Sequence, residues 1–599
     1  MTVAHAAGID LGTSNTVTAV VNASGHTEVL RDSEGQWLVP SIVLFDDERI
    51  VVGEEARLRG RTRADRLAAC AKRDLGHPLY HQRIGGGFLP PEFIQACVLR
   101  HIRQYLLHRT GQEHGAVIAV PAAFNDLQRR ATAEAAEMAG LSLLGVISET
   151  LAGALALGEN TRLFTGDQLR ADGLRVLVLN MGGWATEVSL VQIGDDGFRV
   201  LQTESDTRLG GNDWDHWLAV FLAKEVLTRH GVDLRKTPEG LSELHLAAGI
   251  AKRSLTLRKE SRVNLAHGSD KFEVTVSRDA FFSGTTPLVA RVDQLCETVL
   301  AQAHLSWSKL AHVMLVGGAS QMPALKCLVR QHTGKDPEAW VHPEEAIARG
   351  TAIYGAHLLK SPLGVGGTRP VAVTNISTHS LGVESVDPLT GQRVHSVMIP
   401  KGSTLPATAT REFVASVSAQ RTVAMTILDG ESEEPARCVI IGRAVLREVP
   451  ADVADRWPVE VTFQFASSGA IKVDARMRYT DRTVHLTLAR AGDMSKTHVA
   501  RWKKVLDSGG GFAQVNSAIA SEKADRAPPA VIIATAPPLA PPEPEPAILA
   551  FAKRCLPFAF GRPADAPLEA PAASSESGDG HLILNPRADI APCEGVPNC

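Results

Sequence analysis

Residues 459–477 alternate apolar and polar positions with a period of two. Val459, Val461, Phe463 and Phe465 mark one run, and Ile471, Val473, Ala475 and Met477 mark the return. Ser467-Ser468-Gly469 turns the chain between them, so the pattern predicts a half-buried hairpin. The first 350 residues have a different rhythm. Ala6-Ala7-Gly8-Ile9 and Val17-Thr18-Ala19-Val20-Val21 flank a turn at Gly12–Asn15, which predicts a β-hairpin over residues 3–21. Ala116–Val120, Leu174–Leu179 and Val313–Val316 are short apolar runs of buried-strand length. Between them, residues 125–140, 213–230 and 288–305 carry helical spacing, the first opened by Asn125-Asp126. Alternating strands and helices predict α/β layers. The β-rich stretch 371–491 predicts a sandwich.

Punctuation divides the chain further. Ser361-Pro362-Leu363-Gly364-Val365-Gly366-Gly367 predicts a linker. Val499, Trp502 and Leu506 share one face of a short helix from about residue 493, and Gly509-Gly510-Gly511 stops it. Fifteen of the 33 prolines follow residue 507, so residues 508–599 read as a disordered Pro/Ala-rich tail. Within it, Ala547-Ile548-Leu549-Ala550-Phe551 is a short apolar island that reads as a docking motif or as noise.

Composition narrows the function classes. A chain of 599 residues exceeds one core. Hydrophobic content of 44% and charged content of 21% describe an ordinary globular protein. A net charge of -4 argues against a general nucleic-acid or membrane-surface role. The N-terminus shows no signal-peptide pattern, and no apolar run reaches membrane-spanning length. Eight cysteines without metal-ligand spacing fit buried thiols in a reduced cytoplasm. The expected location is therefore cytoplasmic.

The candidate chemistry lies in glycine turns at strand ends, which present backbone N–H groups to phosphates. One is Gly8-Ile9-Asp10-Leu11-Gly12-Thr13-Ser14-Asn15-Thr16 and another is Val316-Gly317-Gly318-Ala319-Ser320. With Ala71-Lys72-Arg73-Asp74-Leu75-Gly76, Val120-Pro121-Ala122-Ala123-Phe124-Asn125-Asp126, Asp206-Thr207-Arg208-Leu209-Gly210-Gly211 and Ala251-Lys252-Arg253-Ser254-Leu255-Thr256, they occur in the order found in the Hsp70 chaperone family, which the chain resembles from residue 3 to about 491. The resemblance implies an actin-like, two-lobed α/β ATPase domain over 1–360, a linker over 361–376, a β-sandwich peptide-binding domain over 377–491 and a short helix over 492–507.

It also implies roles. Gly12, Thr13, Ser14 and Asn15 would wrap the β- and γ-phosphates of ATP or ADP, with Gly182 and Gly183 from a second phosphate loop. Asp10 would hold Mg²⁺ through water, because that ion keeps much of its hydration. Lys72 would place a point charge at the γ-phosphate and its attacking water. Glu149 and Thr13 complete the implied catalytic set. Gly211, Lys252, Arg253, Thr256, Gly317, Gly318, Ala319 and Ser320 would hold the nucleoside. Pro121 and Arg129 would couple nucleotide state to lobe rotation. Val383, Val386, Phe413, Val423 and Met425 match the pocket and rim of the peptide cleft, although Phe413 and Met425 also read as sandwich core.

Several positions depart from the family. Its second phosphate loop, Asp-Leu-Gly-Gly-Gly-Thr-x-Asp, is here Asn180-Met181-Gly182-Gly183-Trp184-Ala185-Thr186-Glu187. Asn180 is uncharged and a poor base. Trp184 is expected to put a ring where the backbone approaches phosphate. Gly145 replaces a basic residue that meets J-domain partners, Gln321 replaces the arginine that stacks on adenine, and the segment between Lys72 and Pro121 is shortened. The long helical lid is missing. The expected function is an ATP-dependent chaperone for extended unfolded peptides with weak or impaired hydrolysis. The alternative is a nucleotide-binding pseudo-ATPase that serves as a protein-binding scaffold. A J-domain co-chaperone and an exchange factor are possible partners besides client polypeptides; no nucleic-acid or membrane partner is expected.

Overall fold

The computed structural model describes residues 5–31, 34–160, 173–194, 197–337, 340–359, 372–416, 423–446, 456–466, 469–477, 483–486, 496–525 and 582–584. The apolar island at 547–551 and the Gly/Pro cluster at 361–367 lie outside them.

Two sheets of similar plan make up the first part. In one, the antiparallel hairpin Ala6–Leu11/Asn15–Val21 is extended by the parallel strands Gly115–Val120 and Ser142–Ser148. In the other, the hairpin Leu174–Met181/Thr186–Gly194 is flanked by the parallel strand His312–Val316 and by Gly197–Asp206. Both hairpins thus put a glycine turn at the same place relative to a parallel neighbour. This mixed α/β content with several sheets fits an actin-like ATPase followed by a β-sandwich.

The helices Glu149–Asn160 and Ala346–Leu358 cross between the sheets over a shared apolar layer that includes Val117, Leu151, Val178 and Ile347. Their crossing demands glycine. A Cβ on Gly350 would lie 1.7 Å from the Ala152 carbonyl oxygen. Local signals set the helix ends. Asn125 and Gln128 form a reciprocal capping box at Asp126–Ala139. The helix expected at 288–305 in fact spans Arg278–Gln302, capped by Ser277, with Pro287 inside it. Pro287 forfeits one backbone donor, and that single missing bond is tolerated within this 25-residue helix.

The apolar segment after the Gly/Pro cluster becomes a strand. Val373–Thr374 adds in parallel to the outer edge of Gly197–Asp206, pairing Val373 with Phe198. Beyond it, Val439–Leu446, Val423–Asp429, Leu381–Val386 and Arg393–Ile399 form one set of strands. Ala407–Ser416, Arg456–Phe465, Ile471–Met477 and Thr483–Leu486 form another. The alternation of Val459, Val461 and Phe463 buries those side chains fully, against Leu381, Val383 and Ile427 of the first set.

The end of the chain departs from expectation. Residues 508–599 are not uniformly without structure: Phe512–Asp525 is a second helix after Lys496–Asp507, and Leu582–Leu584 is a strand. The prolines that suggested disorder begin only at Pro528, which leaves the second helix free of breakers. The two helices do not form a lid. They pack on the first sheet's side of the molecule, where Trp502, Val515 and Ile519 join the core of Phe93, Tyr80 and Ile84. The Phe512 N–H donates to the Asp46 carbonyl at 2.7 Å, Arg66 lies 4.2 Å over the Phe512 ring, and Arg100 pairs with Asp507. The shortened segment between Lys72 and Pro121 contributes much of the apolar face they cover.

Candidate functional site: a carboxylate-lined cleft between two glycine hairpins

The two hairpin turns face each other across a cavity of about 140 Å³. Gly12, Thr13, Ser14 and Asn15 line it from the first sheet, and Gly182 and Gly183 line it from the second. The first turn is braced from behind. The Ser41 hydroxyl donates to the Gly12 carbonyl at 2.8 Å and the Ser41 N–H to the Ser14 carbonyl at 2.9 Å. Nothing in the residue pattern marked Ser41, because its role depends on a strand that folds back from Val39–Pro40. Gly317 also reaches the cavity. Its φ of 85° lies in the left-handed region, and a Cβ there would sit 2.5 Å from the Met181 carbonyl oxygen, so only glycine fits.

The floor is charged. Lys72 Nζ donates to Glu149 Oε1 at 2.6 Å, and Asn180 Nδ2 donates to Glu149 Oε2 at 2.6 Å. Asp10 and Glu187 stand beside this pair. Burial, and then the Glu149 charge, push Asp10 up to about 7 against the pull of Lys72. The same two causes push Glu187 up to about 8, against its backbone hydrogen bonds and Lys72. Glu187 Oε1 accepts from the N–H groups of Ala122 and Ala123 at 2.5 and 3.3 Å, while its Oε2 is buried with no partner among the described residues. Three carboxylates against one ammonium, with one oxygen unsatisfied, are a donor set that fits a hydrated divalent cation.

A pH dependence follows. Both folded-state pKa values lie above their unfolded values, so the stability these groups supply is full below about pH 4 and is lost as pH rises through about 7 to 8. A cation must displace the held protons. The affinity of the nucleotide-free protein for Mg²⁺ is expected to rise about 10-fold per pH unit for each proton displaced between pH 6 and 8. Calorimetry in two buffers of different ionisation heat reads the proton release; a pH-independent affinity without release would show that the carboxylates bind no metal.

Trp184 lines the cavity beside Gly182 and Gly183, and its ring is held there from the opposite wall. Its indole Nε1–H donates to Cys70 Sγ at 3.2 Å, and the Arg73 guanidinium lies 4.0 Å from the ring centroid. The ring is drawn onto the Ala71–Asp74 turn that carries Lys72. That turn opens at Cys70 with φ 59°, a strained value for a residue with a side chain. Trp184 thereby links the second hairpin to the turn that carries Lys72, at the cavity wall.

The remaining predicted residues distribute as follows. Lys252 Nζ donates to the Gly211 carbonyl and to Asp215, both at 2.7 Å, so Gly211 and Lys252 meet. The Thr256 hydroxyl turns back to the Lys252 carbonyl at 3.1 Å. A Cβ on Gly318 would lie 2.9 Å from Glu344 Oε1, and burial raises the Glu344 pKa against the opposing pull of His342 and Arg253. Ser320 is fully buried, its hydroxyl donating to the Gly317 carbonyl at 2.7 Å, so it braces the turn beside Ala319 rather than facing the cavity. Gly211, Lys252, Arg253, Thr256, Gly318, Ala319 and Ser320 thus flank the cavity, whereas Lys72, Asp10, Glu149, Thr13 and Asn180 line it.

Pro121 lines the cavity, and the residues after it are held from two sides. Glu187 takes their N–H groups. Arg129 donates to the carbonyls of Phe124 and Ala122 at 3.1 and 3.4 Å. His379, ahead of the sandwich strands, contacts the Ala123 carbonyl at 2.9 Å, and Lys401 pairs with Glu204 at 2.7 Å. In the sandwich, Val383, Phe413 and Met425 are core, with Val386 part-exposed at a strand end. Val423 opens the strand Val423–Asp429.

Convergent glycine hairpins over a buried Lys–Glu pair, followed by a β-sandwich, fit an actin-like ATPase domain with an appended sandwich domain. Residues 6–527 match the family described as Hsp70 protein, and the chain belongs to that family. It is 30% identical over 504 residues to a chaperone protein DnaK of Mycoplasmopsis synoviae (strain 53), covering 83% of this chain and 81% of that protein. It is 32% identical over 499 residues to a chaperone protein DnaK of Halobacterium salinarum, covering 82% of this chain and 76% of that protein. The family match extends through Phe512–Asp525, beyond the limit of about 491 read from the motifs.

Proposed function

We propose that this protein is an ATP-dependent chaperone that binds extended polypeptide segments in its sandwich and hydrolyses ATP weakly. The observation that carries the reading is the convergence of Gly12–Asn15, Gly182–Gly183, Lys72 and Glu149 on one cavity. Gly12 to Asn15 and the second glycine pair hold the phosphates of ATP or ADP. Lys72 offsets charge at the γ-phosphate, and Glu149, held by Lys72 and Asn180, orients the attacking water. Asp10, with Glu149 and Glu187 nearby, holds the hydration shell of Mg²⁺, which supplies charge neutralisation at the phosphates. Lys252, Arg253 and Glu344 flank the nucleoside.

Nucleotide state passes to the sandwich through the segment after Pro121. Glu187 grips it from the phosphate side, while Arg129 and His379 grip it from the sandwich side. The Val373–Thr374 strand supplies a second connection, since docking or release of a short edge strand is a discrete two-state event. Unfolded client polypeptides are the principal partners. A basic side chain is missing at Gly145, so J-domain recruitment there lacks its charge.

A second reading, a nucleotide-dependent scaffold without turnover, is favoured by Asn180 in place of a charged residue. Calorimetry with ATP and ADP, followed by single-turnover hydrolysis with and without an unfolded peptide, separates them. Peptide-stimulated turnover is expected. Tight nucleotide binding with no turnover favours the scaffold, and no nucleotide binding removes both readings.

A further inference from the structure

The strand Leu582–Leu584 lies inside the sandwich. Ile583 pairs in parallel with Val386 at the end of Leu381–Val386. On its other side, Leu582, Ile583 and Leu584 pair antiparallel with Ala415, Val414 and Phe413. In the hydrogen-bonded order of the sheet it is the link between the two sets of sandwich strands. Without it, Val386 and Phe413–Ala415 would be exposed edge backbone on either side of a gap. Such edges bind extended segments by strand addition.

We propose that the C-terminal segment around Leu582-Ile583-Leu584 is an intramolecular ligand of the peptide cleft, holding it occupied until a client displaces it. The inference rests on the reading of the sandwich as a peptide-binding module, and it names the ligand chemistry: a short extended run of three aliphatic residues. The sequence suits the role. His581-Leu582-Ile583-Leu584-Asn585-Pro586-Arg587 places consecutive large aliphatics in a tail otherwise rich in Pro, Ala, Ser and acidic residues, and Pro586 ends the pairing potential. The positions it meets, Val386 and Phe413, are two of those matched to the family's peptide pocket and rim. Residues 526–581 supply a tether of roughly 180 Å at full extension, ample to return the segment to the sandwich.

Tethering sets the expected magnitude. A flexible linker holds its ligand at an effective concentration on the order of 1 mM. A segment whose own dissociation constant is about 100 µM would then weaken binding of an external peptide about 10-fold.

The test uses the full chain and the full chain carrying Ile583→Asp, a substitution outside the nucleotide cleft. Fluorescence anisotropy measures two labelled probes, a synthetic peptide of residues 579–589 and an unrelated extended peptide with a leucine-rich core. The substituted chain is expected to bind both about 10-fold more tightly than the natural chain. Hydrogen exchange at those amides of Phe413–Ala415 that face Leu582–Leu584 is expected to accelerate in the substituted chain. Equal affinity of the unrelated probe for both chains, with no binding of the 579–589 peptide, overturns this inference and leaves the cleft reading standing. Failure of both chains to bind both probes overturns both.

Discussion

Asn180→Asp is expected to raise the single-turnover rate of ATP hydrolysis roughly 10²-fold, the scale associated with one charge-bearing group aimed at a transition state. Asn180 stands at the end of Leu174–Met181 with its side chain in the cavity. Its amide donates to Glu149 Oε2, so one Glu149 oxygen faces Asn180 and the other faces Lys72. An amide in that place can steady Glu149 but cannot take up a proton or offset a cation. An aspartate would add a negative charge 2.6 Å from where Glu149 now accepts a hydrogen bond. Without metal that pair would repel, so the gain is expected only with Mg²⁺ present, and the metal-free variant is expected to melt earlier than the natural chain. Quenched-flow hydrolysis with and without Mg²⁺ reads both effects. A variant less than threefold faster at saturating Mg²⁺ would show that Asn180 is not what limits turnover and would strengthen the scaffold reading.

Legibility of this fold followed the length scale of the physics. Short-range rules located the strands at Ala116–Val120 and Val313–Val316, the helix start at Asn125-Asp126 and the alternating hairpin at Val459–Met477, because each depends on residues within a few positions of one another. Glycine turns were readable for the same reason. What escaped depends on partners distant in sequence. Nothing near Trp184 says that Cys70 and Arg73 will hold its ring. Ser320 looks like a loop hydroxyl facing a ligand, yet the turn buries it. Val373–Thr374 is too short to announce itself as a strand, and its edge position is supplied wholly by Gly197–Asp206. Leu582–Leu584 is three residues long, below the window in which periodicity carries information. The apolar face Val499, Trp502 and Leu506 was visible, but a helical stripe says that something covers it and not what.

What covers it yields the other large effect. Trp502→Ala is expected to destabilise the first-sheet half of the molecule by about 3–5 kcal/mol, the range for truncating a buried tryptophan. Trp502 is fully buried, and its ring centroid lies 4.4 Å from that of Phe93. The helix Pro91–Thr110 that carries Phe93 also packs on Asp126–Ala139, so the cavity would open among elements that position Lys72 and Pro121. At about 2–4 °C per kcal/mol for a unit of this size, the lowest calorimetric transition should fall by about 10 °C. Trp502→Phe is the control that separates packing from polarity. The indole N–H of Trp502 is buried without a partner among the described residues, so phenylalanine removes an unsatisfied donor while keeping most of the ring. Its cost is expected to stay within about 2 kcal/mol. Because the helix pair is part of this core, ATP affinity should fall along with the melting temperature in Trp502→Ala. A variant that melts like the natural chain and binds ATP equally well would mean that Lys496–Asp525 is detached in solution, and the core described around Phe93 would then have to close by other means.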